Sequence, residues 1–235
     1  MKQGKLYLIP TPISENKSMR DVLLKEDIDV INSLEYFVSE KAKTARFFLK
    51  DLPLEKKIQE INITELNEHT KDTEINKLLE PALNGRDIGL LSDAGVPSIA
   101  DPGFRLVSLA QKKKITVIPF VGPSSILMAL MASGLNGQSF SFLGYLPREK
   151  NSRRKKIKIL EEIALTTKQT QIFMETPYRN QHLFDDILDV CEPDTRVCIA
   201  MDIMGENEYI VTKEVQEWNP KKVLAKKPCL FLINK

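Results

Sequence analysis

Asp93 has the most promising position for chemistry among the side chains of this sequence. It lies in LLSDAGVPSIADPG, residues 90–103, where an apolar stretch suited to a buried strand ends in a turn rich in Gly and Pro. In open α/β sheets, such a turn holds backbone amides, carbonyls and a carboxylate in the crevice where these sheets bind ligands. We therefore predict a small-molecule site around Asp93, while a turn-forming or capping role for its carboxylate stays open.

Two further turns of this kind follow predicted strands, IPTPIS near residue 10 and LGYLPR near residue 145. None of the three turns contains GxxxxGKS, GxxxxGKT or GxGxxG, so neither P-loop phosphate chemistry nor classical dinucleotide binding is indicated. There is also no GxSxG serine elbow. A site of backbone groups and apolar side chains with few cations suits a neutral or zwitterionic adenosine-like ligand better than a polyphosphate.

The composition indicates a soluble globular protein. The 235 residues are 42% apolar, and their charges nearly cancel at +2. No apolar run approaches the roughly 20 residues that span a bilayer, and the start MKQGKLYLIP lacks the features of a signal peptide, so we expect a cytoplasmic protein without a membrane segment. Three cysteines without a CxxC pair and two histidines predict no metal site, and we expect reduced, buried thiols.

Strands and helices alternate over the first half of the chain, which favours a largely parallel sheet. The expected strands are Lys5–Ile9, Tyr36–Val38, 61–67, Asp87–Leu91 and Ile115–Phe120. One helix is expected from Thr73 to Asn84, with a kink at Pro81. The second half has strands at Phe140–Tyr145 and near residue 172, and it ends in antiparallel strands. We predict two α/β domains, 1–119 and 120–235, the second with a mixed sheet.

Positive charge is concentrated in two segments. Residues 148–158 hold seven Lys or Arg side chains, and the helix expected over residues 41–52 carries Lys41, Lys43, Arg46 and Lys50 on and around one face. Such segments bind phosphates in some proteins and are merely solvated in others, and both interpretations stay open here.

The motifs, taken in order, resemble the tetrapyrrole-methylase superfamily nearly end to end. They are LYLIPTPI, LNEHT, LLSDAGVPSIADPGFRLV, VIPFVGPSSILMALMASGL, FSFLGYLPR and IFMETPYR. Within the superfamily, SDAGVPSIADPG is similar to the SDAG-x-P-x-x-SDPG run of the branch that 2′-O-methylates a cytidine ribose in 16S ribosomal RNA. Porphyrin and corrin methylases usually carry a GGDP-type loop at this place.

The resemblance implies an S-adenosylmethionine-dependent methyltransferase that acts on 16S rRNA or the 30S subunit. It also implies a homodimer and a two-domain α/β fold with the cofactor in a cleft between the domains. Its cofactor-binding residues correspond here to Pro10, Asp93, Ala94, Gly95, Val96, Ile99, Ser124, Ser125, Tyr145, Leu146, Ala200 and Met201.

The catalytic and RNA-binding residues are predicted from the chemistry of the reaction together with the resemblance. A ribose hydroxyl is a poor nucleophile until its proton is removed, and Glu175, in the METPYR turn, is the predicted catalytic base. The predicted RNA-binding cations are Lys41, Lys43, Arg46, Arg148, Arg153, Arg154 and Arg179, the last of them holding a phosphate near Glu175.

Two segments depart from the RNA-methylating branch. Its Glu-Asp-Thr-Arg run is Glu40-Lys41-Ala42-Lys43 here, and its Arg-Glu-Leu-Thr-Lys run is replaced by Met201–Gly205. Two alternatives therefore stay open: a methyltransferase that acts on a tetrapyrrole or another small molecule, and a non-catalytic protein that binds the cofactor.

Overall fold

The chain folds into two compact units, Met1–Ser124 and Ser125–Lys235, here called the N-terminal and the C-terminal unit. A computed structural model describes residues 2–235. Each unit contains its own five-stranded sheet, and the predicted α/β fold with one parallel and one mixed sheet is confirmed. The sequence predicts two domains, 1–119 and 120–235, and this division stays a prediction.

The N-terminal unit has a wholly parallel sheet in the order β3-β2-β4-β1-β5. Its strands are β1 Lys5–Ile9, β2 Tyr36–Ser39, β3 Asn62–Glu65, β4 Ile88–Leu91 and β5 Thr116–Pro119. Its helices are α1 Lys25–Ser33, α2 Ala42–Lys50, α3 Asp72–Leu78, α4 Glu80–Leu83 and α5 Gly103–Lys112.

Short apolar runs form these strands because both faces of the sheet are covered. All four residues of β4 are buried. Successive side chains of a strand point to opposite faces, and Phe37 and Val38 accordingly join two different core clusters. This arrangement explains why β1 and β4 read as continuous apolar runs rather than as alternating ones.

The helix expected from Thr73 to Asn84 is two helices. α3 ends at Leu78 and α4 begins at Glu80, so the break lies before Pro81 rather than at it. Pro81 has no backbone N–H, and its ring would clash with the carbonyl of Lys77 in a continuous helix. Gly85 then takes the left-handed conformation with φ 82°, as expected for the residue after a helix.

Gly89 in the middle of β4 leaves no space for a side chain. A Cβ on Gly89 would lie 2.7 Å from Ile9 Cδ1 and 2.8 Å from Phe37 Cδ1. We expect Gly89→Ala to lower the free energy of unfolding by about 1–3 kcal/mol, as overpacking of a filled core does. Urea denaturation measures the loss. Gly137→Ala is the matched control, because no atom lies within 4 Å of its Cβ position; equal losses in both variants would contradict this account.

The C-terminal unit has a mixed sheet in the order β6-β7-β10-β8-β9. β6 and β7 are parallel, and the other pairs are antiparallel. The strands are β6 Phe140–Tyr145, β7 Thr170–Glu175, β8 Arg196–Met201, β9 Tyr209–Glu214 and β10 Cys229–Asn234, and the helices are α6 Ser125–Ser133, α7 Lys150–Thr167 and α8 Asn180–Val190.

The helices α7 and α8 pack on one face of this sheet over a large apolar cluster. Phe173 and Phe231 stack in it with ring centroids 6.2 Å apart, and the Trp218 indole meets Phe184 edge to face. All three cysteines are free and buried, and burial raises the pKa of the Cys191 thiol to about 12. The thiols are therefore core residues without nucleophilic character.

Neither a membrane span nor a metal centre is found in residues 2–235. No helix in this range combines the length and the apolar character that crossing a bilayer requires. The same residues contain no group of three or more His, Cys, Asp or Glu side chains arranged to hold a metal ion.

Candidate functional site

Three loops of the N-terminal unit meet at the carboxyl ends of β1, β4 and β5. Thr11 and Gly95 exchange two backbone hydrogen bonds of 3.0 and 3.1 Å. Gly95 has φ 75°, a conformation that favours glycine. Gly122 lies so close to Pro10 that a Cβ on Gly122 would stand 2.1 Å from the Pro10 Cβ. The loop that holds Asp93 is therefore fixed by backbone contacts, and its amides and carbonyls have defined positions.

The Asp93 carboxylate is half-buried and has only one paired oxygen. Its Oδ2 accepts a hydrogen bond from Lys41 Nζ at 2.8 Å, and this bond raises the pKa of Lys41. Its Oδ1 is buried and has no hydrogen-bond partner among residues 2–235. A buried carboxylate oxygen without a donor is costly. Asp93 is thus suited to accept a hydrogen bond from a bound ligand.

The other predicted cofactor residues of the N-terminal unit lie along the same loops. Pro10 and Gly95 are buried, Val96 is half-buried, Ala94 is exposed, and 53% of the Ile99 surface is exposed. Ser124 is the last residue of this unit and is half-buried, as is Ser125, the first residue of the C-terminal unit and of α6.

The second half of the 90–103 loop is organised by Asp101. Its Oδ1 accepts hydrogen bonds from Ser98 N at 2.9 Å and Gly103 N at 2.7 Å. Ser98 and Ala100 have φ angles of 69° and 58°, which are uncommon for residues with a side chain. Such strained positions persist where the surrounding structure fixes them, and they are frequent at functional sites.

An open cavity of ≈ 570 Å³ lies beside this part of the loop, and we call it the acidic cavity. Its wall includes Glu40, Glu68, Ser98, Asp101, Phe104 and Arg105. Burial, followed by repulsion from Asp93 and Asp101, raises the pKa of Glu40 to about 6. Burial also raises the pKa of Asp101. Carboxyl groups with raised pKa values in a cavity are typical of functional sites.

The predicted cofactor residues of the C-terminal unit lie along one edge of its sheet. Cys229 of β10 pairs with both Glu175 and Met201, and Tyr145 pairs with Met174, so the ends of β6, β7 and β8 lie at the same edge, with the start of β10 between those of β7 and β8. The Tyr145 side chain is exposed, whereas Leu146, Ala200 and Met201 are buried.

Glu175 and Arg179 form an ion pair at the start of α8. Glu175 Oε1 accepts hydrogen bonds from Arg179 Nη2 at 2.5 Å and from Thr176 N at 2.6 Å. The Glu175 side chain is 1% exposed, and its Oε2 has no partner among residues 2–235. In this arrangement Glu175 holds the turn before α8 and reaches no surface. Its role as catalytic base and the phosphate contact of Arg179 stay predictions.

The segment Met201–Gly205 folds around the Asp202 side chain. Asp202 Oδ2 accepts a hydrogen bond from Asn207 N at 3.1 Å, and the Asp202 carbonyl accepts one from Gly205 N at 2.7 Å. A Cβ on Gly205 would lie 2.4 Å from the Asp202 Cγ, so a side chain at this position would displace the Asp202 carboxylate. A compact turn thus occupies the place of the family's Arg-Glu-Leu-Thr-Lys run.

Six of the seven predicted RNA-binding cations fall into two groups, and the seventh is Arg179, which pairs with Glu175. Lys41, Lys43, Arg46 and Arg148 are exposed, and of these only Lys41 forms an ion pair within residues 2–235.

Arg153 and Arg154 bind carboxylates of α8. The Arg153 guanidinium is buried, with Nε 2.7 Å and Nη2 2.5 Å from Asp186 Oδ2, and Arg154 Nη1 lies 3.0 Å from Asp189 Oδ2. The structure gives Arg153 a packing role between α7 and α8, and its predicted RNA contact has no support from this position.

A family model described as Tetrapyrrole (Corrin/Porphyrin) Methylases matches residues 6–218. The chain belongs to this family. Solved structures of tetrapyrrole methylases share its fold. The crystal structure of the methyltransferase CobJ has a TM-score of 0.63 at 14% identity, covering 98% of this chain and 94% of CobJ. A uroporphyrin-III-C-methyltransferase from Thermus thermophilus has a TM-score of 0.55 at 16% identity, covering 100% of this chain and 93% of that protein.

Curated relatives in the family share more sequence with this chain. A protein of Halalkalibacterium halodurans named Ribosomal RNA small subunit methyltransferase I is 38% identical over 79% of this chain and 60% of its own length. The protein of that name from Vibrio cholerae is 33% identical over 87% of this chain and 67% of its own length. The protein of that name from Bacillus subtilis is 29% identical over 90% of this chain and 64% of its own length. The chain thus spans less than two thirds of the first of these relatives.

Proposed function

We propose that this tetrapyrrole-methylase family member is an S-adenosylmethionine-dependent methyltransferase that acts on the RNA of the small ribosomal subunit. The methylated atom in this proposal is the 2′-oxygen of a 16S cytidine ribose. The observation that carries it is the sequence similarity to several relatives named Ribosomal RNA small subunit methyltransferase I, over 79 to 90% of this chain.

The residues around Asp93 fit the cofactor. S-adenosylmethionine supplies an electrophilic methyl group on its sulfonium sulfur. Asp93 Oδ1 is buried without a donor among residues 2–235, and a hydroxyl or ammonium group of the cofactor would satisfy it. The fixed backbone from Ala94 to Val96 would add amide and carbonyl partners. In the C-terminal unit, we propose Tyr145, Leu146, Ala200 and Met201 as further contacts.

Positioning is the main task of the protein in such a transfer. A nucleophile held in line with the methyl carbon needs little else, apart from a group that takes the proton of the hydroxyl. The exposed cations Lys43, Arg46 and Arg148 would bind RNA phosphates. The predicted homodimer and the cytoplasmic location belong to this proposal, and sedimentation of the purified protein tests the dimer.

The acidic cavity disfavours a carboxylate-rich macrocycle as the methyl acceptor. Uroporphyrin-type macrocycles carry several carboxylates, which Glu40, Glu68 and Asp101 would repel. Arg105 is the cation in the cavity wall, and its guanidinium is already bound to Thr70 O at 2.7 Å and Asp72 Oδ1 at 2.6 Å.

Incubation with labelled S-adenosylmethionine and 30S subunits that lack the modification tests the proposal. We expect label in 16S rRNA. After alkaline hydrolysis the label should remain in a dinucleotide, because a methylated 2′-oxygen cannot attack the adjacent phosphate. Modified 30S subunits are the control and should take up none. Label in a tetrapyrrole supplied in place of the 30S subunits, with none in RNA, would replace the RNA proposal. Cofactor binding without transfer to either acceptor would support a non-catalytic protein.

A further inference from the structure

The acidic cavity lies at the carboxyl ends of β2 and β4, next to the loop that holds Asp93. Glu40 directly follows β2, and Asp101 belongs to the loop that follows β4. Ligands of open parallel sheets bind at this edge. The Lys41–Asp93 ion pair joins the two neighbouring strand ends, so the cavity adjoins the proposed cofactor loop.

Within the described part of the chain, residues 2–235, the wall of the cavity offers hydrogen-bond acceptors and no available cation. Glu40, Glu68 and Asp101 bring three carboxyl groups together. Asp101 uses Oδ1 for the backbone of its own loop. Because Arg105 is bound to Asp72 and Thr70, the cavity suits a ligand with N–H donors and no negative charge.

Two further features indicate a flat ligand with a polar edge. Phe104, in the first turn of α5, leaves 59% of its surface exposed beside the carboxyl groups. An exposed aromatic ring in a cavity provides a stacking surface for a base. Ser98 Oγ is a buried atom in the cavity wall and has no hydrogen-bond partner among residues 2–235. This hydroxyl can donate to a ring nitrogen or a carbonyl oxygen.

The titration of Glu40 is compatible with such a ligand. Its carboxyl faces Asp93, Asp101 and Glu68 from neighbouring loops, and Lys41 partly offsets them. With a pKa of about 6, Glu40 is mostly ionised at neutral pH and accepts N–H donors through both oxygens, whereas protonation removes its charge and turns one oxygen into a donor.

We propose that the acidic cavity binds the target nucleobase by its exocyclic amino group, with Glu40 and Asp101 as acceptors and Phe104 stacked on the base. This inference rests on the proposed RNA function and names the part of the substrate that this cavity recognises. Cytosine, adenine and guanine carry the required amino group. Uracil presents a carbonyl oxygen in its place, which the carboxylates would repel.

Binding of free cytidine and uridine to the full chain tests this inference. In saturation-transfer NMR titrations we expect the Kd of cytidine to be at least about 10-fold lower than that of uridine, the discrimination of one good base contact. Glu40→Leu should abolish the preference. Glu60→Gln, at an exposed residue outside the cavity, should retain it. Phe104→Ala should weaken both nucleosides about 10-fold, whereas Phe104→Tyr should bind them normally.

Several outcomes would overturn the inference. These are equal affinity for cytidine and uridine, no nucleoside binding at all, an unchanged preference in Glu40→Leu, and displacement of cytidine by spermidine at equal concentration. Thermal unfolding of each variant verifies its fold. If wild-type protein labels 30S subunits but shows no nucleoside preference, the nucleobase inference fails alone. If it labels no RNA, the proposed function fails whatever the nucleosides do.

Discussion

Asp93→Asn is expected to weaken S-adenosylmethionine binding about 10- to 100-fold and to leave the fold intact. The substitution keeps the shape of the side chain and removes the charge that would hold a cofactor hydroxyl or ammonium group. Hydrogen bonds to a charged group contribute roughly 1.5–3 kcal/mol, which corresponds to this range. Isothermal titration calorimetry measures the affinity, and circular dichroism the fold.

Lys41→Met is the matched control for this experiment. It breaks the same 2.8 Å ion pair from the other side but leaves the Asp93 carboxylate in place. We expect nearly normal cofactor affinity in Lys41→Met, because the loop is fixed by the Thr11 and Gly95 backbone bonds. If both variants lose cofactor affinity equally, Asp93 serves only to bind Lys41. If neither does, the cofactor lies elsewhere.

Asp186→Ala is expected to lower the free energy of unfolding by about 3–5 kcal/mol. The Asp186 side chain is 4% exposed and that of Arg153 is 7% exposed, so the substitution leaves a buried guanidinium without its counterion. Removing one partner of a buried pair costs this much because the remaining charge is neither solvated nor paired. Urea denaturation measures the loss.

Two further variants separate the buried pair from its surroundings. Asp189→Ala lies on the same helix and binds Arg154, but 64% of the Asp189 side chain is exposed, so we expect a far smaller loss. The double variant Arg153→Met and Asp186→Leu should regain most of the stability, because apolar groups can replace a buried pair. If this double variant also methylates 30S subunits normally, Arg153 has no part in RNA binding. If Asp186→Ala lowers the free energy of unfolding no more than Asp189→Ala does, the packing role of Arg153 is contradicted.

The sequence predicted the ends of a strand well where a proline or glycine lies close to the end of the apolar run. β1 and β6 have the expected bounds, Lys5–Ile9 and Phe140–Tyr145, because proline or glycine follows each apolar run closely. The helix from Thr73 to Asn84 was wrong in its continuity, since the pattern of apolar residues continues across Leu79 while the backbone hydrogen bonds do not.

The contacts of the site depend on the order of strands, which periodicity does not specify. Lys41 meets Asp93 because β2 lies next to β4, and Arg153 meets Asp186 because α7 packs on α8. The acidic cavity was missed for the same reason. A signal was present in the sequence: Glu40 follows one predicted strand as Asp93 follows another, and such positions converge at one edge of a parallel sheet.

The strand order of the N-terminal unit also determines when its sheet can close during synthesis. β1 is synthesised first, yet it pairs with β4 and β5. Lys5, for example, can pair with Thr116 of β5 only after 111 further residues have been added. Until residue 91 has left the ribosome, both edges of this apolar strand lack a partner, and the edge that pairs with β5 lacks one until residue 119 has followed, so the strand can pair with other chains. The strand that ends beside the proposed cofactor loop is thus the one that stays unprotected for most of the synthesis of its unit, and a pause in translation before residue 119 would prolong that exposure.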